Sequence, residues 1–173
     1  SDMVFVGYGI SEPDHGWDDL SGLDVKNKVA LVLLGTPVKD GKPVLPQEVN
    51  KGYASVPGAQ KKVMALMQMG AKAFVFLSTD EVDQMYPMIP DQLSQSIVTT
   101  GKTRDGMGIM VAIANREASL ELMKGQQYPL YADGKVAMKG YKTFGLKEVQ
   151  IQFNADEKRT PIEAWNVVGL IPG

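Results

Sequence analysis

The chain has 173 residues, of which 44% are hydrophobic and 22% charged, values that suit one globular domain with its own core. Its net charge of −2 at pH 7 offers no basic excess to neutralise phosphates, so we expect no nucleic-acid partner. The absence of cysteine excludes disulfides, thiolate metal sites and cysteine nucleophiles. No apolar run reaches the roughly 18 residues that a transmembrane helix needs, so we expect no membrane span in this segment.

Four apolar, β-prone runs predict the main strands of the domain. They cover residues 4–8, 28–34, 73–77 and 109–114. The last three runs are almost entirely apolar, which is typical of strands whose two faces are both buried. Together with the helical patterns that lie between them, these runs predict an α/β domain that is rich in β-structure.

Two helices are predicted between the strands. Residues 59–70 repeat apolar side chains at helical spacing, place Lys61 and Lys62 on the polar side and end at a glycine. Asn115 is suited to cap the start of a second helix, which Gly125 would close. The first helix also carries methionines that we interpret as core residues rather than as a partner groove: Met64, Met67 and Met69.

Turn signals and strand patterns dominate the C-terminal third. Asp133-Gly134 separates two β-prone runs, which is a strong hairpin signal, and Asp40-Gly41 and Asp105-Gly106 predict further turns. Residues 149–153 alternate apolar and polar side chains and predict a half-exposed strand. A last strand is predicted in residues 164–173, where a proline stops it.

The longest irregular stretch covers residues 79–108, and loops of this length are usually functional. Tyr86 and Met88 are candidates for an apolar contact with a substrate or partner, the alternative being simple packing onto the sheet. Arg104 is a candidate for binding a substrate carboxylate through two guanidinium nitrogens. The stretch is therefore a candidate lid.

The only histidine, His15, lies close to two aspartates and invites a test for catalytic chemistry. A serine triad lacks its nucleophile motif, since no G-x-S-x-G segment occurs. A zinc site needs at least three ligands, whereas His15 with Asp18 or Asp19 supplies two. We favour the alternative that residues 13–19 form a polar surface loop, and we assign no catalytic or metal-binding residue to this chain.

Gly7 and Gly9 follow a predicted strand, as the first two glycines of a dinucleotide-binding fingerprint do. The third glycine of G-x-G-x-x-G would fall at Glu12, whose carboxylate would repel a pyrophosphate. No helical pattern follows, so we reject this interpretation.

The segment VFVGYGISEPDHGWDDLSGLDVKNKVALVLLGTP, residues 4–37, resembles the start of the protease-associated (PA) domain of bacterial M28-family zinc peptidases. Asn27 stands where that family usually has glycine, and asparagine also tolerates a left-handed turn. Later segments match as well, including GAKAFVFL from Gly70 and WNVVGLIPG at the end. The residues that carry the family signature are Gly7, Gly9, Trp17, Asp18, Asp19, Asp24 and Asn166.

The resemblance implies a single PA-type domain over residues 1–173, with residues 164–173 returning the chain toward a peptidase domain. The family fold is a swivelling β/β/α domain, an open β barrel or sandwich with about two to three flanking helices. Such a module is non-catalytic, shapes substrate access and mediates protein contacts. The partners implied are its own peptidase domain and a peptide substrate, in a secreted, periplasmic or cell-envelope protein.

The resemblance further implies that the parent protein is a zinc metallopeptidase, an aminopeptidase or carboxypeptidase of the M28 type. Its two zinc ions would lie in the peptidase domain, so we expect no cofactor in this chain and no enzymatic activity from this chain alone. The alternative is a PA-type protein- or peptide-binding module of a receptor or of a subtilisin-like serine protease.

Overall fold

The structure, a computed structural model, describes residues 2–80, 83, 110–126, 131–132, 135–136, 142–146, 149 and 151–152. These residues form a five-stranded mixed sheet, three two-stranded ribbons and three α-helices. The predicted α/β class is therefore confirmed. Among the described helices, none is both long and apolar enough to cross a membrane.

The strands and helices are numbered in chain order. The strands are β1 (Met3–Phe5), β2 (Ser11–Glu12), β3 (Trp17–Asp18), β4 (Val29–Leu33), β5 (Val38–Lys39), β6 (Lys42–Pro43), β7 (Ala73–Leu77), β8 (Met110–Ile113), β9 (Tyr131–Ala132), β10 (Lys135–Val136) and β11 (Phe144–Gly145). The helices are α1 (Gln47–Tyr53), α2 (Val56–Gln68) and α3 (Arg116–Met123), and a short 3-10 helix covers Pro13–His15.

The central sheet has the strand order β11-β1-β4-β7-β8. Strands β1, β4, β7 and β8 run parallel, and β11 pairs antiparallel with β1. All five residues of β4 and all five of β7 are buried, as expected for apolar strands with both faces covered. The carboxyl ends of the four parallel strands therefore meet at one edge of the sheet.

Two hydrophobic cores lie on opposite faces of the sheet, because successive strand residues point to opposite sides. Helix α2 packs on one core through Val63 and Leu66. The opposite core contains Tyr53 of α1 and Met123 of α3, and Phe144 of β11 packs against it. Each large apolar side chain buried in this way stabilises the fold by about 1.5–3 kcal/mol. Helices thus cover both faces of the sheet.

The predicted strands are confirmed, with shifts at their ends. Strand β7 coincides with the predicted range, β4 is one residue shorter at both ends, and β8 runs from Met110, the first described residue of its run, to Ile113, one residue short of the predicted end. The burial predicted for both faces of β8 is wrong, since Met110 is 40% and Val111 49% exposed on this outermost strand of the described sheet. Strand β1 covers Met3–Phe5 instead of residues 4–8. It ends early because Gly7 and Gly9 both adopt a φ of 63°, which turns the chain out of the sheet.

The Asp-Gly turn predicted between residues 38 and 43 is confirmed. Asp40 and Gly41 join β5 to β6 with φ values of 51° and 74°, the left-handed pair that a type I′ turn requires. Strands β9 and β10 pair antiparallel on either side of Asp133-Gly134, so the predicted hairpin pairing is also confirmed.

The strand predicted over residues 149–153 is wrong for the positions that are described, since 149, 151 and 152 belong to no strand. Val149 and Ile151 are instead partly buried against one of the two cores. These two apolar side chains therefore contact the core without belonging to a strand.

Helix α2 starts three residues before the predicted range, because Ser55 caps it by accepting a hydrogen bond from the Gly58 N–H at 3.4 Å. The second predicted helix is confirmed as α3. Asn115 caps it by accepting a hydrogen bond from the Ala118 N–H at 2.9 Å, and Gly125 follows its end with a φ of 71°.

Two predictions about side chains of α2 are wrong. Lys62, predicted on the polar side, is 1% exposed, whereas Met64 is 57% and Met67 37% exposed. The inward stripe of the helix runs through Lys62, Val63 and Leu66, and this register turns the two methionines outward. A lysine occupies such a position when its apolar stem packs and its ammonium group reaches hydrogen-bond acceptors.

Asn27 adopts the left-handed conformation that the sequence predicts at this position, with a φ of 61°. Its N–H donates to the Gly70 carbonyl at 2.8 Å, which ties the turn before β4 to the end of α2. Asparagine therefore supplies the left-handed residue that this turn requires.

Several predicted features lie outside the described residues. They are the turn at Asp105-Gly106, most of the candidate lid at residues 79–108 and the last strand at residues 164–173. Within the candidate lid, Asp80 and Asp83 are helical.

Helix α1 lacks an apolar periodicity and is not predicted by its sequence. It meets α2 at a tight corner, where Gly58 lies directly against the backbone of Tyr53. A methyl group on Gly58 would lie 2.5 Å from both the Cα and the carbonyl oxygen of Tyr53. Backbone atoms cannot rotate away as a flexible side chain can, so the corner requires glycine at this position.

We expect Gly58→Ala to lower the free energy of unfolding by roughly 1–3 kcal/mol, because the added methyl group forces the two helices apart. Gly52→Ala is the matched control, since Gly52 lies in α1 with nothing within 4 Å of the added methyl group. The control should gain about 0.5–1 kcal/mol from its better helix propensity. Urea unfolding followed by circular dichroism measures both, and similar effects of the two changes would contradict the prediction.

Candidate functional site

The segment that holds Trp17 and Asp18, two of the residues behind the family resemblance, folds as a small hairpin, which we call the signature hairpin and define as residues 11–18. Strands β2 and β3 pair antiparallel, and the 3-10 helix Pro13–His15 forms the tip between them. Gly16 ends the tip with a φ of 71°, and its N–H donates to the Pro13 carbonyl at 2.9 Å. This local geometry returns the chain to β3 with Trp17 at its first position.

Trp17 anchors the signature hairpin to the core. Its ring packs against the buried ring of Tyr8, with centroids 6.3 Å apart and planes at 64°. Tyr8 lies between Gly7 and Gly9, whose left-handed backbones let the chain leave β1 sharply. A Cβ atom on Gly9 would also meet Val32 Cγ1 at 3.4 Å, so this glycine permits close packing on the sheet.

Two aspartates at the end of the hairpin, Asp18 in β3 and Asp19 directly after it, accept hydrogen bonds from backbone N–H groups. Asp18 Oδ1 accepts hydrogen bonds from the N–H groups of Leu20 at 3.1 Å and Ser21 at 3.2 Å. Asp19 is buried, its Oδ2 accepts from the Ile10 N–H at 3.2 Å, and its own N–H donates to the Ile10 carbonyl at 2.8 Å. These bonds fix the direction of the chain at the base of the hairpin.

Strand β11 brings a distant segment to the signature hairpin. It pairs with β1 in the register Phe5↔Phe144, and the two rings lie 5.3 Å apart. Lys142 and Thr143 directly precede this strand. Because β1 leads into Tyr8 and the hairpin, the pairing places both residues near Trp17.

A cleft of about 370 Å³ lies between the signature hairpin and the start of β11, and we call it the signature cleft. Its volume is at the lower end of the range for ligand sites, which suits a small chemical group. Its described lining includes a tryptophan, two aspartates, a lysine and a threonine, which are residue types that often bind ligands. The described lining residues are Gly16, Trp17, Asp18, Asp19, Lys142 and Thr143.

Glu12, Tyr53 and Lys61 form a second polar group, which we call the polar latch. The Tyr53 hydroxyl donates to Glu12 Oε1 at 2.8 Å, and the Lys61 ammonium donates to the same oxygen at 3.3 Å. Lys61 Nζ also lies 4.1 Å from the centroid of the Tyr53 ring. The latch therefore ties the signature hairpin to the corner between α1 and α2.

The latch changes the acidity of its members. The hydrogen bond from Tyr53 lowers the pKa of Glu12 below its usual value, and Lys61 lowers it further. Burial raises the pKa of the Tyr53 hydroxyl, so this group stays protonated and donates to the carboxylate. The polar latch is therefore stabilised when Glu12 is ionised and its carboxylate accepts both hydrogen bonds.

Lys62 binds backbone oxygens at the carboxyl edge of the sheet. Its ammonium group donates to the carbonyls of Leu33 at 3.3 Å and Gly35 at 2.5 Å. Its Nζ lies 5.8 Å from the centroid of the Tyr8 ring. These contacts connect α2 to the end of β4 and to the residues that support Trp17.

A polar network occupies the same edge of the sheet after β7 and β8. Arg116 donates through Nε to Asp83 and through Nη2 to Asp80, the latter at 2.5 Å. The Ser78 hydroxyl donates to the second oxygen of Asp83, and the Ser78 N–H donates to Ser119 Oγ at 2.9 Å. Ligands of α/β proteins often bind at this edge, but here the opposite charges pair with one another and join β7 to α3.

The other candidates from the sequence do not join the signature cleft. His15 is exposed at the end of the 3-10 helix. Asp24 lies in a separate turn, where its carboxylate accepts from the Lys28 ammonium at 2.9 Å and the Lys26 N–H at 3.1 Å, and these bonds lower its pKa. Within the described ranges, no three His, Cys, Asp or Glu side chains are grouped so as to hold a metal ion. The candidates that lie outside the described residues are Tyr86, Met88, Arg104 and Asn166.

Comparisons with protein-family models, with curated proteins and with solved structures find no match to this chain. Its function is therefore inferred from its residues and their geometry. The signature cleft is the strongest candidate site, because it combines a cavity with converging aromatic and charged groups.

We expect Glu12→Gln to remove a pH-dependent part of the stability while keeping an oxygen that accepts from Tyr53. Because the folded-state pKa of Glu12 is lowered, its ionised form stabilises the fold above the unfolded-state value near 4.5, and this contribution is lost as pH falls through the folded-state pKa. The native chain should therefore melt at a higher temperature than the variant at pH 7, and the difference should shrink as pH falls below 4.5 and through the lowered folded-state pKa of Glu12.

Thermal unfolding of the native chain and of the variant, measured at pH 7 and at several pH values below 4.5, tests the expectation. Glu48→Gln is the control, since Glu48 forms only an exposed pair with Lys51 at 3.5 Å, and such pairs contribute little. A melting difference for Glu12→Gln that stays constant with pH would contradict the assigned role of its carboxylate.

Proposed function

We propose that this chain is a non-catalytic PA-type domain of an M28-type zinc peptidase, in which it binds peptide segments and shapes their access to the active site. The described sheet, covered by helices on both faces, would then be part of the swivelling β/β/α fold of that family. The coarse α/β architecture is compatible with this assignment, and the resemblance of residues 4–37 motivates it.

One observation carries the proposal, namely the convergence of signature residues on a cleft. Trp17, Asp18 and Asp19 line the signature cleft, and Gly7 and Gly9 shape the backbone that supports it. A surface loop with no binding role would not need an indole ring and charged groups arranged around one cavity. The cleft is therefore the part of this chain best suited to contact a peptide.

The non-catalytic assignment is supported by the contacts that charged groups make between elements of the fold. Glu12 and Lys61 belong to the polar latch, Lys62 binds carbonyls of the sheet edge, and Arg116 pairs with Asp80 and Asp83. Each of these contacts joins two elements of the fold. Their chemistry is thus used to position structure, and peptide hydrolysis would depend on another domain.

In the proposed parent protein, two zinc ions and a bridging water in the peptidase domain would attack the peptide bond. The parent would be an aminopeptidase or carboxypeptidase that is secreted, periplasmic or attached to the cell envelope. The gene sequence beyond residue 173 tests this assignment directly. A following His-x-Asp zinc motif would support it, whereas a membrane span or a serine-protease triad would favour a receptor or a subtilisin-like protease.

We expect the isolated chain, supplied with zinc, to hydrolyse aminoacyl nitroanilides no faster than zinc in buffer. In the parent enzyme, deletion of residues 1–173 should leave zinc content and kcat on an aminoacyl nitroanilide nearly unchanged. The same deletion should change KM for longer peptides by roughly threefold or more, because only these substrates reach the module.

The zinc content of the deletion variant, compared with that of the full-length enzyme, controls for misfolding of the peptidase domain. Hydrolysis by the isolated chain would disprove the non-catalytic assignment. An unchanged KM for peptides of every length would disprove the role in substrate access.

A further inference from the structure

We infer that the signature cleft binds the guanidinium group of an arginine side chain in a peptide. The inference deepens the proposed function and rests on it, because it names the feature of the peptide that the module would select. It is carried by the charge of the cleft lining, by its aromatic wall and by the rigidity of both.

The charge of the lining favours a cation. Asp18 and Asp19 contribute two carboxylates, while Lys142 contributes one ammonium group, so the described lining has an excess of one formal negative charge. Asp18 is exposed at the surface, whereas Asp19 is buried. An incoming anion would meet two carboxylates of its own sign and one ammonium group of opposite sign. An incoming cation would meet two groups of opposite sign and one of its own sign.

The aromatic wall favours an organic cation over a metal ion. Trp17 lines the cleft, and tryptophan is the side chain whose ring face attracts a cation most strongly. A hard metal ion needs about six oxygen ligands, whereas two carboxylates line the described part of the cleft. A planar guanidinium group suits both kinds of lining residue, because such a group stacks on indole rings and donates several hydrogen bonds to carboxylates.

The groups that would bind the cation are held in place before binding. Trp17 packs on Tyr8, Asp18 accepts two backbone N–H bonds, and Asp19 exchanges two bonds with Ile10. A site whose side chains are already ordered loses little conformational freedom when it binds, which raises its affinity for a small group. The cleft is therefore built for one side chain of a flexible peptide.

The test titrates the full 173-residue chain with the blocked peptide acetyl-Ala-Ala-Arg-Ala-Ala-amide, in which the arginine carries the only charge. Binding is followed by 15N NMR, including the indole N–H signal of Trp17, which the variant Trp17→Phe assigns. We expect the arginine peptide to bind about tenfold more tightly than the same peptide with glutamine, and to shift the Trp17 signal.

Charge variants of the cleft sharpen the test. Asp18→Asn keeps the side-chain oxygen that accepts from Leu20 and Ser21 but removes the charge, and it should weaken binding of the arginine peptide by roughly fivefold. Lys142→Gln removes the competing cation and should strengthen binding by a similar factor. Asp14→Asn, which removes an exposed carboxylate on the 3-10 helix, is the matched control and should leave binding unchanged.

The outcomes separate this inference from the proposed function. Equal binding of the arginine and glutamine peptides, or tighter binding of a glutamate peptide, would overturn the inference while leaving a peptide-binding module. Equal losses in Asp14→Asn and Asp18→Asn would overturn it as well, because the effect would then be long-range attraction. If the folded chain binds none of the peptides, the inference fails, and the peptidase measurements above decide the proposed function.

Discussion

The position of helix α2 depends on one buried ammonium group, that of Lys62. It binds the carbonyls of Leu33 and Gly35 at the carboxyl end of β4, while its stem shares the inward stripe of the helix with Leu66. A charge at such a depth is tolerated only where acceptors offset its lost hydration, so the helix has one favourable register on the sheet. That register also places the neighbouring Lys61 beside Glu12 and completes the polar latch.

The latch connects this register to the candidate binding site. Glu12 belongs to β2, so holding it against Tyr53 orients the signature hairpin on the same side as the corner between α1 and α2. The paired strand β3 then presents Trp17 to the core and to the cleft. A change in the packing of α2 therefore alters the position of the cleft residues through the hydrogen bonds of the polar latch. The same residues thus serve both the fold and the proposed binding role. Substitutions that change only the charge of a side chain separate an effect on binding from an effect on stability.

The distribution of charged groups gives the chain two kinds of surface chemistry. At the carboxyl edge of the sheet, where many α/β proteins bind ligands, Arg116 is paired with Asp80 and Asp83. At the signature cleft, Asp18 and Lys142 line a cavity between elements and face the same space. The first arrangement stabilises the joint between β7 and α3, whereas the second leaves charge available at a concave surface. This contrast favours binding at the cleft.

Features that depend on neighbouring residues could be predicted from the amino-acid sequence. The apolar runs of β4 and β7, the cap at Asn115 and the left-handed turn at Asp40-Gly41 follow from local patterning and backbone sterics. Contacts between distant segments became visible only in the folded chain. The burial of Lys62, the pairing of Glu12 with Tyr53 and the approach of Lys142 to Trp17 join segments far apart in the chain, and no short pattern encodes which distant partner will satisfy a polar group.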